Sequence, residues 1–223
     1  YSLYKYGLFR VKHFDVPVIV VGNISVGGTG KTPFVAFLVK LLLENGYKPG
    51  IVSRGYRGRS KKWPQIVESN SDPYLVGDEA VMLVRQTDVP MVVDPNRPRA
   101  VEKLLDAYDC DIVISDDGLQ HYAMHRDLEI VVIDSERGFG NEYCLPAGPL
   151  RESLRRLLQV DFVIEHYSDK NGFEQAGHMS FYLKPGIVYN INDKSISLNQ
   201  DDVRNKVVHA VCGIGHPQRF FKT

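Results

Sequence analysis

Short apolar runs alternate with segments of helical periodicity over the first three quarters of the chain. The run VIVVGNI is followed by a glycine-rich turn and by PFVAFLVKLLLENG, whose apolar spacing predicts an amphipathic helix that ends at Gly46. The same unit recurs, with the predicted strands GIVS, MVVD, DIVIS and LEIVVID and the predicted helix RPRAVEKLLDAY. Continuous apolar strands separated by helices predict an α/β fold with a mostly parallel sheet and helices on both faces.

The pattern changes after Pro149. LRESLRRLLQV predicts another helix and DFVIEH one more strand, whereas the stretch from about Met179 to Leu198 alternates around turn residues and is typical of an antiparallel ribbon. KVVHAVCGIG then resembles the first strand of a new α/β unit. We therefore expect three parts: an N-terminal segment (1–14), a main α/β domain (15–178), and a ribbon linker with an incomplete second domain (179–223).

Composition narrows the function classes. Of 223 residues, 43% are hydrophobic and 24% charged, and 27 basic residues balance 27 acidic ones, which excludes a disordered chain and a global basic field for nucleic acid. An anion-binding site must therefore be local. The cysteines Cys110, Cys144 and Cys212 lie far apart, which favours inert thiols over disulfides or zinc ligands.

The first residues, YSLYKYGLFRVKHF, mix aromatic, apolar and basic side chains. This composition is typical of a helix at a lipid headgroup surface, but also fits a helix packed on its own domain. No apolar run in the chain approaches the roughly 18 to 20 residues needed to cross a bilayer. The start at Tyr1 without a methionine, and the end just after Phe220 and Phe221, lead us to expect a fragment.

The strongest motif is SVGGTGKT, a glycine-rich turn between a predicted strand and a predicted helix. Backbone N–H groups of such a loop enclose phosphates, its lysine neutralises the β and γ oxygens, and its threonine hydroxyl reaches Mg²⁺. The first position departs from the usual glycine. The predicted nucleotide loop consists of Ser25, Val26, Gly27, Gly28, Thr29, Gly30, Lys31 and Thr32.

A second motif, DIVISDDGLQH, ends an apolar strand in two carboxylates. Asp116 and Asp117 resemble the element of nucleoside triphosphatases that holds the Mg²⁺ shell opposite the loop threonine, here Thr32. Paired carboxylates also repel each other unless a cation lies between them. Asp-Asp-Gly is a good turn sequence as well, so the metal role depends on the nearby phosphate loop.

The sequence gives weaker support for the remaining candidate site residues. Arg54 follows the second strand, at the sheet edge where doubly wound folds bind ligands, and could clamp a phosphate through two hydrogen bonds. Asp78 begins a predicted helix, where it is a helix N-cap or a catalytic carboxylate, and spacing favours the cap. His121 and His125 show no metal-ligand pattern. Together the motifs predict a magnesium-dependent phosphoryl-transfer enzyme with an unidentified acceptor.

Six segments occur along the chain in a fixed order: VPVIVVGNISVGGTGKTP, VSRGYRGR, VGDEAVML, DDGLQHYAMHRDLEIVVID, LPAGPLRE and AVCGIGHPQRFF. Through them the whole chain resembles the tetraacyldisaccharide 4'-kinases, the lipid A kinases of Gram-negative bacteria. It implies a P-loop kinase domain that transfers the γ-phosphate of ATP, with Mg²⁺, to the 4'-hydroxyl of a tetraacyl glucosamine disaccharide 1-phosphate. It also implies a peripheral location at the cytoplasmic face of the inner membrane, with no obligate protein partner.

The resemblance also assigns roles to residues. It implies that Asp78 is the catalytic base, against the preference from spacing, and that Lys31 is catalytic. Near the metal, the phosphates or the substrate it implies a set comprising Asp116, Asp117, Arg54, Gln120, His121 and Arg151. The family pattern has a longer N-terminal membrane-associated helix, and a later Asp-His motif that supplies a histidine partner of the base. This sequence contains no Asp-His pair.

Two other classes of protein share parts of the pattern. Partition and cell-division ATPases are nucleotide-switched proteins that dimerise at membranes, but their loop carries a lysine where this chain has Val26. Small G proteins carry an Asn-Lys-x-Asp motif that does not occur here. ATP turnover that depends strictly on a glycolipid acceptor would separate the kinase from both alternatives.

Overall fold

The structure, a computed structural model, describes residues 4, 9–174, 176–184, 186–193, 195–198, 202, 204, 206–207 and 209–212. The strands are β1 Val18–Gly22, β2 Pro49–Ser53, β3 Gln65–Val67, β4 Met91–Val93, β5 Ile112–Asp116, β6 Leu128–Asp134, β7 Phe162–Tyr167, β8 Ser180–Tyr182, β9 Val188–Tyr189 and β10 Ser197–Leu198. The helices are α1 Lys31–Glu44, α2 Pro73–Val76, α3 Asp78–Thr87, α4 Arg97–Ala107, α5 Lys170–Glu174 and a 3₁₀ helix, Leu154–Gln159.

Eight strands form one sheet in the order β3-β4-β2-β5-β1-β6-β7-β8. Every neighbouring pair is parallel except β3 and β4 at one edge, which are antiparallel. The predicted α/β class with a mostly parallel sheet is therefore confirmed. Two residues each from β9 and β10 pair separately as an antiparallel ribbon.

Alternate residues of the central strand enter two different apolar layers. Val18 and Val20 of β1 pack in a cluster that also contains Ala100 and Leu104 of α4, whereas Val21 packs in the cluster that contains residues of α1 and α3. A strand covered by apolar layers on both faces places its side chains in the core on either side, which explains the unbroken valine and isoleucine run of β1.

The order of the strands places two loops beside each other. β1 lies between β5 and β6 in the sheet. The connection that follows β1 leads to β2, on the β5 side of β1, whereas the connection that follows β5 leads to β6, on the other side of β1. Connections that leave neighbouring strands in opposite directions form a topological switch point. Val21 pairs with Asp116, so β1 and β5 end at the same level of the sheet. The turn after β1 and the two aspartates at the end of β5 therefore share one edge.

Two local predictions were wrong, and a third is confirmed only in part. The segment LRESLRRLLQV, predicted as a helix, forms a 3₁₀ helix over Leu154–Gln159, with Leu158 87% exposed. Ser180–Tyr182 is not part of an antiparallel ribbon but pairs parallel with β7, so the main sheet continues past residue 178. Of KVVHAVCGIG, residues 206–207 and 209–212 lie outside any strand, and the rest lies outside the described residues.

A buried cluster of charges lies beside the sheet. Glu129 is 8% exposed and Arg156 6% exposed. Arg126 Nη1 lies 2.9 Å from Glu129 Oε1, and Arg156 Nη2 donates to the same oxygen. Both guanidiniums also lie near the Tyr122 ring, at 4.8 Å for Arg126 and 5.8 Å for Arg156. Arg156 Nε also lies 3.5 Å from Glu152 Oε2, so the two guanidiniums share Glu129 and Arg156 has a second carboxylate beside it.

Replacing Glu129 with alanine should lower the free energy of unfolding by about 3 to 5 kcal/mol, because two buried guanidiniums then lose the carboxylate that they share and Arg156 keeps only Glu152. Chemical denaturation of the full-length protein measures this loss. Glu102→Ala is the control, since Glu102 pairs with Lys12 at 2.7 Å between side chains that are about half exposed. We expect at most about 1 kcal/mol there. Equal losses in the two variants would contradict the role of the buried cluster.

Candidate active site

The predicted nucleotide loop lies between β1 and α1. Gly30 adopts a left-handed conformation, with φ 86°, at the N-cap of α1, and no side chain caps this helix among the described residues. The side-chain amide of Asn23 lies 3.4 Å from both Gly27 O and Thr29 Oγ1, and holds the loop from inside. Gly27 and Gly28 are exposed. The loop therefore presents uncapped backbone N–H groups at a helix N-terminus, which is an anion-binding arrangement.

A buried histidine, His166, contacts the backbone of the nucleotide loop. His166, at the end of β7, is 3% exposed and stacks on Phe181, with 4.6 Å between ring centroids. Its Nδ1 lies 3.2 Å from the carbonyl oxygen of Thr29, and because a carbonyl only accepts, Nδ1 is the protonated nitrogen. A Cβ on Gly30 would overlap the His166 ring. Sequence analysis did not find His166, because it lies 137 residues from its loop partner.

Gly30→Ala should destabilise the protein by at least the roughly 1 to 2 kcal/mol cost of a left-handed alanine. It should also weaken ATP binding at least about 10-fold, because relief of the overlap with His166 shifts the loop. Gly46→Ala is the matched control, since Gly46 also has positive φ but open space around its Cβ position. Calorimetric titration with ATP compares the two variants. Unchanged ATP affinity in Gly30→Ala would contradict the supporting role of His166.

Charged groups converge at the mouth of the loop. Lys31 Nζ lies 3.4 Å from Asp117 Oδ1, and Arg151 Nη1 lies 3.2 Å from the same oxygen. Although burial alone would raise the pKa of Asp117, Lys31 and Arg151 hold it below its usual value. Asp117 also has a positive φ of 50° in the turn after β5. The structure thus brings Lys31 and Asp117, predicted from separate sequence motifs, together with Arg151, which the family resemblance implied.

Asp116 differs from its neighbour. It is 3% exposed, and its Oδ1 has no hydrogen-bond partner among the described residues. Burial raises the pKa of Asp116 to about 6, against the attraction of Lys31. The buried Arg97 donates to the Asp116 carbonyl at 3.2 Å and to that of Asp94 at 2.9 Å, which fixes the end of β5. Arg97 was not singled out from the sequence, where it only begins a helix.

Gln120 and His121 lie in the turn beyond the aspartates. Gln120 Nε2 donates to the carbonyl of Asn23 at 3.0 Å and to Glu152 Oε1 at 2.7 Å, so it ties this turn to the nucleotide loop. Burial, helped by Arg97 and Arg54, lowers the pKa of His121 to about 4. His121 is therefore neutral near pH 7.

The two predicted arginines lie in different surroundings. Arg151 contacts Asp117 and also lies 3.4 Å from Gln120 Oε1. Arg54 is exposed, and its positive charge helps burial to lower the pKa of both Arg97 and His121.

Asp78 occupies the first turn of α3 but is not its N-cap, so the preference from spacing was wrong. The N-cap is Gly77, whose φ of 96° and tight surroundings exclude a side chain. Among the residues that the structure describes, Asp78 Oδ1 accepts a hydrogen bond from the next backbone N–H, that of Glu79, at 3.0 Å. Burial raises the pKa of Glu79, with a further contribution from Asp78, whereas Lys31 lowers it. Glu79 is thus a second carboxylate at the cleft, which sequence analysis did not assign.

The N-terminal segment is described only in part. Phe9 is 50% exposed, whereas Tyr4 is half-buried with its ring 5.2 Å from Phe9 and 6.3 Å from Tyr122. Leu8 lies outside the described residues. Among the helices that the structure describes, none is long and apolar enough to span a membrane.

A glycine-rich loop at a helix N-terminus, a lysine beside it and a carboxylate pair at the end of the adjacent strand define a P-loop nucleotide-binding α/β protein. The family model of the tetraacyldisaccharide-1-P 4'-kinases, LpxK, matches residues 1–223. The chain belongs to this family.

Relatives and a solved structure agree with the family. The chain is 49% identical over 218 residues to the tetraacyldisaccharide 4'-kinase of Nitrosococcus oceani, covering 98% of this chain and 63% of that protein. It is 48% identical over 221 residues to that of Coxiella burnetii (99% and 63%) and 50% identical over 216 residues to that of Pseudoalteromonas atlantica (97% and 69%). The structure of "apo" form LpxK from Aquifex aeolicus in complex with ATP matches with a TM-score of 0.69 and 33% identity, over 81% of this chain and 58% of that one.

Proposed function

We propose that the protein containing this chain is an ATP-dependent kinase that phosphorylates the 4'-hydroxyl of a tetraacyl glucosamine disaccharide 1-phosphate in lipid A biosynthesis. The observation that carries the proposal is the convergence of Lys31, Asp117 and Arg151 at the nucleotide loop of a chain that matches the kinase family along its whole length. The chain spans 63% of the length of its relatives from Nitrosococcus and Coxiella, and the activity is that of the whole protein.

The residues fit a magnesium nucleotide. Uncapped N–H groups at α1 and the half-buried Lys31 suit the phosphates of ATP. Asp116 Oδ1 is buried, has no hydrogen-bond partner in the described part of the chain, and lies close to Asp117. This suits an ion that takes one or two carboxylates together with phosphates and water. Thr32 follows Lys31 in the first turn of α1 and would supply the hydroxyl ligand.

Each residue then has a chemical task. Bound Mg²⁺ and ATP supply the transferable phosphoryl group and part of its charge neutralisation. Lys31 draws phosphate oxygens to the helix N-terminus and stabilises the charge that develops on them. Asp78 accepts the proton of the acceptor hydroxyl.

We assign the binding of the anionic acceptor to four residues near the nucleotide loop: Arg54, Arg151, Gln120 and His121. A guanidinium binds phosphate through two parallel hydrogen bonds, which a lysine cannot reproduce. Because His121 is neutral, it would serve as a hydrogen-bond donor or acceptor and not as a cation.

The acceptor's acyl chains imply work at a membrane surface, which we place at the cytoplasmic face of the inner membrane. The exposed Phe9, next to Arg10 and Lys12, supports a peripheral contact in which aromatic and basic side chains face lipid headgroups. We infer no nucleic-acid partner and no obligate protein partner.

The proposal is tested by incubating the full-length protein with ATP, Mg²⁺ and a tetraacyl disaccharide 1-phosphate and identifying the product by mass spectrometry. We expect one added phosphate at the 4' position and little ATP hydrolysis without the acceptor. ATP turnover that needs no acceptor and rises with self-association would instead indicate a nucleotide-switched ATPase.

A further inference from the structure

Arg137 lies on a rigid turn beside the nucleotide loop. β6, which ends at Asp134, is a direct neighbour of β1. The buried Asp134 carboxylate accepts the backbone N–H groups of Glu136 at 3.1 Å and Arg137 at 3.2 Å. Ser135 is bonded to the carbonyl of His166, through its N–H at 3.1 Å and its hydroxyl at 2.9 Å. The backbone of Arg137 is therefore fixed to the same strand ends that support the loop.

The Arg137 guanidinium lies directly on the loop. A Cβ added to Gly27 would overlap Arg137 Nη1 and would lie 2.9 Å from its Cζ. Gly27 also has a φ of 109° and is exposed. The glycine therefore leaves room at the outer rim of the loop, and the guanidinium occupies that room.

Arg137 differs in its pairing from Lys31 and Arg151, the two cations that contact Asp117. Lys31 and Arg151 both contact Asp117, so their charges are already balanced in part. In the part of the chain that the structure describes, no carboxylate forms an ion pair with Arg137. A cation held against a phosphate-binding loop without a counter-ion is available to an anion that enters the loop.

We propose that Arg137 is an arginine supplied in cis that contacts the terminal phosphoryl group of the bound nucleotide. This inference rests on the proposed kinase function and adds a residue to it. Within the loop, Ser25 and Thr29 are buried, whereas Gly27 is exposed at the outer rim, which suits the outermost phosphate. A planar guanidinium can hold two oxygens of that group as its charge redistributes during transfer.

The step balances without any change in Arg137. The bond between the γ-phosphorus and the oxygen bridging to the β-phosphate breaks, a bond from the acceptor oxygen to phosphorus forms, and the hydroxyl proton passes to the base. Arg137 forms no covalent bond and exchanges no proton or electron. Its contribution is charge stabilisation, for which removal of one stabilising group typically costs about 10² to 10³ in rate.

Arg137→Ala, Arg137→Lys and the control Arg155→Ala test this in the full-length protein. Arg155 is exposed and forms no ion pair with a described residue. Calorimetric titration without acceptor gives the affinities for Mg²⁺ with ATP, with ADP, and with ADP plus aluminium fluoride. We expect Arg137→Ala to weaken ATP binding at least about 10-fold and the aluminium fluoride complex about 100-fold, with ADP affinity nearly unchanged. Arg137→Lys should recover only part of the loss, and Arg155→Ala should match the wild type.

Two results would overturn the inference: equal losses of ATP and ADP affinity, which would place Arg137 at the inner phosphates or the nucleoside, and unchanged affinity for ATP and for the fluoride complex. The proposed function fails separately, if the wild-type protein binds magnesium ATP but transfers no phosphate to the disaccharide lipid. The nucleotide titrations need no acceptor, so they judge Arg137 in either case.

Discussion

Lys31→Ala should lower kcat for the proposed phosphate transfer by the full-length protein about 100- to 1,000-fold, the usual effect of removing one electrostatic stabiliser of the transition state. The ammonium of Lys31 is well placed for this effect. Its side chain is 12% exposed, it begins α1, and Nζ lies 3.4 Å from Asp117 Oδ1. A charge in a partly desolvated site at a helix N-terminus acts on phosphate oxygens more strongly than it would in water.

Phosphate transfer from radiolabelled ATP to the lipid acceptor measures this loss. Lys40→Ala is the control on the same helix, because Lys40 is 76% exposed and pairs with Glu44 at 3.7 Å. It should leave kcat within about a factor of two, as expected for an exposed pair. Near-normal turnover by Lys31→Ala would remove Lys31 from the nucleotide site.

The sequence predicted the central strands and the nucleotide loop because both depend on local patterns. The apolar run at β1 and the glycines before Lys31 require no knowledge of distant residues. The edge strand β3 was missed, since three residues carry too little periodicity to indicate a strand. β8 was assigned the wrong pairing for a related reason: its partner β7 was known, but alternation alone does not specify parallel or antiparallel pairing.

The residues of the candidate site were likewise predictable where they belong to a local motif, and not where they come from distant parts of the chain. Lys31 and Asp117 come from motifs whose chemistry is visible in the sequence, and the structure brings them together. His166 and Arg137 act on the loop through strands that are neighbours in the sheet but distant along the chain, so no spacing could indicate them. Arg137 lies in the turn after the predicted strand LEIVVID, where only the order of strands places it beside Gly27.

At the N-terminal turn of α3, the spacing of residues along the sequence favoured the wrong residue as N-cap. A carboxylate before an apolar stretch usually indicates a cap, yet Gly77 holds the cap position through a conformation that needs glycine. Asp78 is thereby moved into the first turn. Its carboxylate is exposed and is not used to cap the helix, which leaves it free for another role.

Asp78→Asn should lower kcat by about 10² to 10⁴, the range for loss of a general base, with the KM for ATP little changed. Asparagine keeps the size and the hydrogen bond to the N–H of Glu79, so a loss of activity would report the missing proton acceptor and not a damaged helix. Steady-state kinetics with varied ATP and lipid separate the two parameters.

Glu79→Gln is the comparison variant for Asp78→Asn. The charges of Lys31 and Asp117 both affect the pKa of Glu79, so the Glu79 carboxylate lies within electrostatic range of the nucleotide loop. We therefore expect Glu79→Gln to change the Mg²⁺ and ATP dependence, whereas Asp78→Asn changes the rate at saturating substrates. If Glu79→Gln instead lowers kcat alone and Asp78→Asn keeps the wild-type kcat, the proton acceptor is Glu79 and the role of Asp78 implied by the family resemblance is wrong.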